Sequence, residues 1–108
     1  MEEQEFRTLA DGALQALFRR LSAASEEFDF EPEFKAGALA IEFSAPAATF
    51  VVSPNPPVQQ VWVSANSKSF KLDWDWVQNA FVLAGSGQTL TELVSDAIGR
   101  QLGEDVNL

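Results

Sequence analysis

The chain has 108 residues, of which 16 are acidic and seven basic, and it contains neither His nor Cys, so its formal charge is −9. The absence of His and Cys excludes thiolate nucleophiles, disulfides, cysteine-ligated clusters and imidazole bases or ligands. Carboxylate oxygen is left as the main metal ligand. An apolar content of 46%, with three Trp and nine Phe, suffices for a core, which predicts one folded domain over residues 1–108.

The acidity also restricts the partners that we expect. A chain with this charge repels phosphate backbones and anionic lipid, so neither nucleic acid nor a membrane is an expected partner, whereas cations and basic protein surfaces are. No run of 18 apolar residues exists, and the acidic start at residues 1–6 resembles neither a signal peptide nor a transit peptide. We therefore expect a cytoplasmic protein, although a processed organellar protein would have a similar sequence.

Two different periodicities occupy the first third of the chain. Apolar residues at spacings of three and four predict a helix over residues 4–24. These are Phe6, Leu9, Ala10, Ala13, Leu17 and Leu21. Acidic and aromatic residues then alternate over residues 27–34, which predicts a strand with its Phe side chains inward and its acids outward. Pro32 cannot donate a ladder hydrogen bond and so places this strand at a sheet edge.

The middle of the chain predicts consecutive strands. Ala36-Gly37 indicates a hairpin turn, after which Leu39, Ile41 and Phe43 continue the inward alternation in a second strand. Further strands are predicted over Thr49–Ser53, Val58–Ser64, Lys68–Trp74 and Ala80–Leu83. Strands without intervening helices predict an antiparallel meander. Trp74 and Trp76 are expected to pack around the end of a hairpin.

A second helix closes the predicted fold. Thr89 and Glu92 have capping-box spacing, and the apolar positions from Leu90 to Leu102 form one stripe that Gly103 ends. The predicted order is helix, five or six strands, helix. Two helices with one apolar stripe each cover one face of an antiparallel sheet, so the fold class is α+β, a two-layer α-β sandwich whose other sheet face is wet.

The acids concentrate near the first strand and are the first functional candidate. Residues 1–34 carry nine acids and three bases, whereas residues 35–108 carry seven acids and four bases. Carboxylates two residues apart on one strand face lie roughly 7 Å apart, and a multivalent hard cation would relieve their repulsion. The alternative interpretation is that acids at an exposed edge strand prevent aggregation and keep the protein soluble.

Trp62 is the second functional candidate. If the flanking valines face the helices, then Gln60, Trp62 and Ser64 share the wet face of the sheet, where a large aromatic residue is unusual. An exposed Trp flanked by amides is typical of a protein-binding hot spot. A reversed strand register would instead place Trp62 in the core. Lys71, on the next predicted strand, reaches the same face.

Catalytic motifs are absent or weak. The segment Gly85-Ser86-Gly87 lacks the Lys of a phosphate-binding loop and indicates a turn. A carboxylate pair for hydrolytic chemistry needs one member in an apolar pocket, and the acids of this chain fall on solvated stretches. We therefore predict that the protein is not an enzyme.

Several short motifs together resemble the frataxin family, including its bacterial CyaY members. They are Glu5-Phe6, Leu9-Ala10-Asp11, Gly37-x-Leu39-x-Ile41-x-Phe43, Pro57-x-x-Gln60-Val61-Trp62-Val63, Asp73 and Leu90-x-Glu92-Leu93. The resemblance covers nearly the whole chain, and the Pro-x-x-Gln-Val-Trp element is its most specific part. It implies the same α-β sandwich that the element order predicts.

The resemblance also implies a function. It points to a non-enzymatic regulator or iron chaperone of iron–sulfur cluster assembly, which binds Fe²⁺ or Fe³⁺ weakly and docks on a cysteine desulfurase and a scaffold protein. The implied iron ligands form an acidic ridge: Glu3, Glu5, Asp11, Glu26, Glu27, Asp29, Glu31 and Glu33. The implied docking residues are Asn55, Gln60, Trp62 and Lys71. Neither a cluster nor haem is expected, and the protein should be a monomer without iron.

The chain departs from the family pattern in three places. Where bacterial members carry acids in the last two turns of the first helix, this chain has residues such as Phe18, Arg19 and Arg20. Lys71 replaces a functional Arg of some members, keeping the charge but losing the guanidinium fork. The turn after Asp73 is slightly longer than usual. A second hypothesis is therefore an acidic protein-interaction module of the same fold without physiological iron binding, in which the acidic strand steers a basic partner.

Overall fold

The computed structural model describes all 108 residues and contains two helices that enclose six strands in chain order. The elements are α1 (Glu3–Ala24), β1 (Glu31–Lys35), β2 (Ala38–Ser44), β3 (Ala47–Asn55), β4 (Gln60–Ala65), β5 (Lys68–Asp75), β6 (Ala80–Leu83) and α2 (Leu90–Leu102). Each strand pairs antiparallel with the next, so the sheet order is the chain order. Neither helix combines the length and the apolar character that a bilayer-crossing segment needs.

The core lies between the two helices and one face of this sheet. It contains 22 buried apolar residues, and no polar or charged side chain is buried. From α1 it receives Phe6, Ala10, Leu14, Leu17 and Leu21, and from α2 Leu90, Leu93, Val94, Ala97 and Ile98. Each large side chain removed from water stabilises the fold by about 1.5–3 kcal/mol. The predicted two-layer α-β sandwich is therefore confirmed.

The predicted strand over residues 27–34 is wrong in its first half, because β1 begins only at Glu31. The carbonyls of the last two residues of α1 accept the N–H groups of residues 26–28. These groups complete the helix end and are not available to a strand ladder. Glu27 and Asp29 consequently lie in the turn that joins α1 to β1, and not outward on a strand.

The rest of β1 follows the prediction. It is an edge strand, as Pro32 requires, and it pairs only with β2. Phe34 lies opposite Leu39 and so points toward the helices. Its ring centroid lies 4.9 Å from that of Phe18 in α1, with the two rings tilted by 36°. Phe34 nevertheless remains 38% exposed, because it lies at the rim of the core.

A short 3₁₀ helix, Pro56–Val58, displaces the predicted start of the fourth strand from Val58 to Gln60. Two successive prolines have fixed φ angles and no N–H groups, so they cannot extend a strand ladder. Gln59 then adopts a left-handed conformation with φ of 52°, which reverses the chain into β4.

The turn between β5 and β6 is held by aromatic packing and by one carboxylate. The centroid of the Trp74 ring lies 5.7 Å from that of Trp76 and 5.1 Å from that of Phe81. The expected packing at a hairpin end is therefore confirmed. Asp75 accepts hydrogen bonds from the backbone N–H of Val77 at 2.8 Å and from that of the following residue. These bonds hold the pKa of the Asp75 carboxyl below its usual range.

Helix α2 begins and ends as its sequence predicts. The Thr89 N–H donates to the Glu92 carboxylate at 2.9 Å, and the Glu92 N–H donates to the Thr89 hydroxyl at 3.2 Å, which completes a capping box. Gly103 ends the helix in the left-handed region with φ of 70°. The residues after it fold back along α2, where the Leu108 N–H donates to the Ser95 hydroxyl at 3.2 Å, and Val106 is buried.

We predict that Gly99→Ala destabilises the protein. A Cβ atom at Gly99 would lie 2.8 Å from the carbonyl oxygen of Glu104, which is closer than real contacts allow. The substitution should push the C-terminal segment away from α2 and lower the free energy of unfolding by about 1–3 kcal/mol. Gly12→Ala in α1 is the matched control, since a Cβ atom at Gly12 would have no neighbour within 4 Å.

Urea denaturation of both variants tests this prediction. The control should gain about 1 kcal/mol, because Ala favours a helix over Gly. A Gly99→Ala protein as stable as the control would contradict the prediction, because it would show that the C-terminal segment moves away from α2 without loss of stability.

We predict that Glu92→Gln makes the protein less sensitive to acid. The Thr89 backbone and hydroxyl hydrogen bonds lower the pKa of Glu92 from its ordinary value of 4.5. A carboxyl with a lowered folded pKa stabilises the fold above its unfolded pKa, and this contribution is lost as the pH falls through the folded pKa. The melting temperature of the variant should therefore fall less than that of the wild type between about pH 6 and about pH 3. Glu27→Gln is the control, because it removes the same charge but no capping bond, and it should behave as the wild type. The same dependence of melting temperature on pH in all three proteins would contradict the prediction.

Candidate functional site

Trp62 stands on the face of the sheet that the helices leave uncovered. Its neighbours Val61 and Val63 are 0% and 2% exposed, whereas Trp62 is 37% exposed. Successive residues of β4 thus alternate between core and solvent, as the period of a strand requires. The predicted register of β4 is confirmed, and the alternative that places Trp62 in the core is wrong.

A chain of polar contacts holds the Trp62 ring. Its Nε1–H donates to Gln60 Oε1 at 3.0 Å, and Gln60 Nε2 donates to Asp73 Oδ1 at 3.1 Å. The Lys71 Nζ lies 4.9 Å from the centroid of the Trp62 ring, within cation–π range. The ring is therefore contacted by side chains of β4 and β5, and it does not project freely into solvent.

The antiparallel register brings the predicted docking residues together. Trp62 lies directly opposite Lys71 on one side and Ser53 on the other, and Gln60 lies opposite Asp73 and Asn55. A hollow of about 250 Å³ opens beside the ring, and it holds no acidic residue. Its outward-facing lining consists of Val51, Ser53, Trp62, Ser64, Ser69 and Lys71. The four predicted residues thus occupy two adjacent rows of one surface.

The acids of β1 lie on this same face of the sheet. Glu31 and Glu33 are exposed, and Glu31 pairs directly with Glu42 of β2. Lys35 forms ion pairs with two of these acids, since its Nζ lies 3.1 Å from Glu42 Oε1 and 3.8 Å from Glu33 Oε2. The Glu42 hydrogen bond and the charge of Glu33 raise the pKa of Lys35. The Lys35 ammonium partly neutralises the charge of these acids.

The other predicted acids lie outside β1. Glu26, Glu27 and Asp29 are exposed in the turn after α1, where Asp29 accepts a 3.4 Å hydrogen bond from the Ser44 hydroxyl. Glu3 and Glu5 lie in the first turn of α1, whose 22 residues span about 33 Å. Acids at the two ends of this helix therefore cannot share one ion.

Two of the helix acids have specific surroundings. Glu3 forms an i,i+4 ion pair with Arg7 at 3.6 Å. Asp11 lies two turns further along α1 and borders a groove shared with Phe34 and Gly37 of the β1–β2 hairpin. No three Asp or Glu side chains in the structure lie close enough together to hold one metal ion. The eight predicted ligands are thus spread over separate groups.

The predicted acids did not include Glu42, and the predicted docking residues did not include Asp73. Both are outward members of alternating strands, Glu42 between Ile41 and Phe43, and Asp73 two residues after Lys71. That alternation was sufficient to place them on the wet face. The alternation does not predict which strands pair, and the pairing of β1 with β2 is what places Glu42 beside Glu31.

Comparison with known proteins identifies the family. A family model described as a frataxin-like domain matches residues 1–104 of this chain, which is nearly its whole length. The chain belongs to the frataxin family. The resemblance found in the sequence motifs is therefore confirmed.

Individual frataxin-family relatives agree with this membership. The iron-sulfur cluster assembly protein CyaY of Tolumonas auensis is 27% identical over 111 residues, covering 100% of this chain and 99% of that protein. CyaY of Azotobacter vinelandii is 29% identical over 80 residues, covering 74% of this chain and 72% of that protein.

Two solved frataxins share the fold of this chain. The frataxin of Psychromonas ingrahamii superposes with a TM-score of 0.78 at 24% identity, covering 99% of this chain and 97% of that one. Yeast frataxin superposes with a TM-score of 0.71 at 22% identity, covering 93% and 82% of the two chains. The frataxin arrangement of two helices on one antiparallel sheet is thus shared at low sequence identity.

Proposed function

We propose that this chain is a non-enzymatic accessory protein of iron–sulfur cluster assembly. Family membership over residues 1–104 and two relatives named as iron-sulfur cluster assembly proteins support the pathway. The observation that carries the docking part of the proposal is Trp62, a large aromatic residue exposed on the uncovered sheet face with Gln60 and Lys71 against it. Exposed Trp residues with ordered neighbours are typical hot spots of protein interfaces.

The proposed partners are a cysteine desulfurase and its scaffold protein. The surface formed by Asn55, Gln60, Trp62 and Lys71 supplies the short-range contacts. The acids of β1 lie on the same sheet face, three strand spacings or about 14 Å from β4. Charges at this distance accelerate the association with a basic partner more than they strengthen the final complex. One face of the sheet would therefore provide both steering and contact.

We propose that iron is a loosely held cargo of the exposed carboxylates. The pair formed by Glu31 and Glu42 offers oxygen ligands that Fe²⁺ or Fe³⁺ accept while keeping most of their water. Open oxygen sites discriminate poorly, so Mn²⁺, Co²⁺ and Ca²⁺ should bind to the same groups. The ammonium of Lys35 competes with a cation for Glu33 and Glu42.

A second candidate function is the same docking without physiological iron binding. The dispersal of the acids favours it, since no three of them meet at one point. Two acids on β1 and β2 already contact Lys35, and Glu3 already contacts Arg7. In this case the acids would serve only to steer a basic partner.

The non-enzymatic part of the proposal is supported by the surroundings of the carboxyl groups. No charged side chain is buried, so no carboxyl has the apolar setting that a general acid needs. This supports a non-enzymatic role. The cytoplasmic location, the monomeric state without iron and the single functional domain over residues 1–108 stay predictions.

Trp62→Ala should weaken the binding of a desulfurase–scaffold complex by roughly 30-fold or more, the loss typical of a hot-spot Trp.

Reversing Glu27, Asp29 and Glu31 to Lys should mainly slow association and remove its salt dependence. Val77→Ala is the matched control, because Val77 is a 92% exposed apolar residue outside this surface. Surface plasmon resonance with the purified complex separates the two rates. Wild-type affinity for Trp62→Ala would show that this face does not dock.

Lys35→Gln should raise the affinity of the β1 acids for Mn²⁺ by about two- to fivefold, because it removes an exposed competing ammonium. Paramagnetic broadening of backbone amides measures this affinity. We expect broadening at residues 2–5 and 26–33 in the wild type. Lys68→Gln, which removes the same charge elsewhere, should leave the titration unchanged. Broadening confined to α2, or equal titrations for both variants, would contradict the assignment of the cation-binding acids.

A further inference from the structure

The Gln60 amide lies between one group that only donates and one that only accepts. The indole N–H of Trp62 is a donor without acceptor capacity, and the ionised carboxylate of Asp73 is an acceptor without a proton to give. In the observed orientation, Gln60 Oε1 accepts from Trp62 at 3.0 Å and Gln60 Nε2 donates to Asp73 at 3.1 Å. Turning the amide by 180° would set donor against donor and acceptor against acceptor. The two neighbours therefore permit one orientation only.

Of these two neighbours, Asp73 is the one placed to act as the anchor. Its backbone is fixed opposite Gln60 by the ladder between β4 and β5. A hydrogen bond to a carboxylate is roughly twice as strong as one between neutral groups. Trp62 and Asp73 are both exposed, so the difference lies in charge: the indole N–H is a neutral donor, whereas the carboxylate is charged. Without Asp73, only the neutral bond from the indole itself would hold the Gln60 oxygen within reach of the ring.

The same strand contacts Trp62 in a second way. Lys71 lies two residues before Asp73 on β5 and directly opposite Trp62. Its Nζ sits 4.9 Å from the ring centroid. The ring is thus held by two residues of β5, directly through Lys71 and indirectly through Gln60 from Asp73.

We propose that Asp73 is a positioning residue, which fixes the orientation of the Gln60 amide and thereby holds Trp62 in the one conformation that it presents to a partner. The partner in this statement rests on the proposed function, whereas the positioning of the ring does not. A side chain that is ordered before binding loses less conformational entropy when a complex forms. Asp73 therefore contributes to affinity without having to touch the partner.

The first test needs no partner. Asp73→Leu removes the acceptor, whereas Asp73→Asn keeps an oxygen at the same place. The ¹⁵N–¹H signal of the Trp62 indole, assigned by its loss in Trp62→Phe, should move toward the position of a water-exposed indole in Asp73→Leu, and its hydrogen exchange should accelerate. Asp73→Asn should stay close to the wild type. Asp11→Leu is the control for removal of a surface charge, and it should leave the indole signal unchanged.

Folding is checked by the backbone amide spectrum, which should be preserved outside β4 and β5. A Trp62 indole signal that is the same in Asp73→Leu and in the wild type would overturn the proposal. An equal shift in Asp11→Leu would overturn it as well, because the effect would then come from charge alone.

The second test measures affinity for the desulfurase–scaffold complex. Asp73→Leu should bind about 2- to 10-fold more weakly, which corresponds to the ordering of one side chain, and Asp73→Asn should bind as the wild type does. Equal losses in both variants would overturn positioning and assign Asp73 a direct charge contact. If the indole signal moves in Asp73→Leu but Trp62→Ala binds as tightly as the wild type, positioning is supported and the proposed docking function fails.

Discussion

The structure depends on the burial of a single face of an antiparallel sheet under two helices. Twenty-two apolar side chains lie in that interface, and they use the inward positions that the strands offer near its centre. Because each strand residue points opposite to its neighbour, the same packing sends the alternate side chains to the other face. The helix side of the sheet is thus constrained by stability, whereas the open side is free to carry recognition.

The open side is not uniform along its width. At the β1 edge it carries carboxylates and one bridging Lys, in the middle mostly small residues of β2 and β3, and on β4 and β5 the indole with its polar neighbours. The small residues leave a shallow surface between a charged rim and an aromatic centre. This order matches the anatomy of protein interfaces, in which aromatic residues occupy the core and charges occupy the rim.

The predictability of each element depended on whether its pattern was local. The capping box at Thr89 and the alternation of β4 around Trp62 were correctly inferred, because both are set by residues within a few positions of each other. The sequence around Glu27 and Asp29 alternates as a strand does. The N–H groups of residues 26–28 nevertheless donate to carbonyls at the end of α1, and no local sequence pattern predicts these bonds. The partners of Glu31 and Gln60 could not be inferred either, since strand register joins residues 11 and 13 positions apart.

The hydrogen bond from the Trp62 indole to Gln60 limits what the ring can offer to another molecule. An indole has a single polar hydrogen, and here it is already engaged within the chain. What remains is the apolar surface of the ring that Lys71 does not cover, which offers a partner no further hydrogen bond. Selectivity at this position must then come from the shape of the opposing surface, so a partner could change many side chains there and still be recognised if it kept a matching contour.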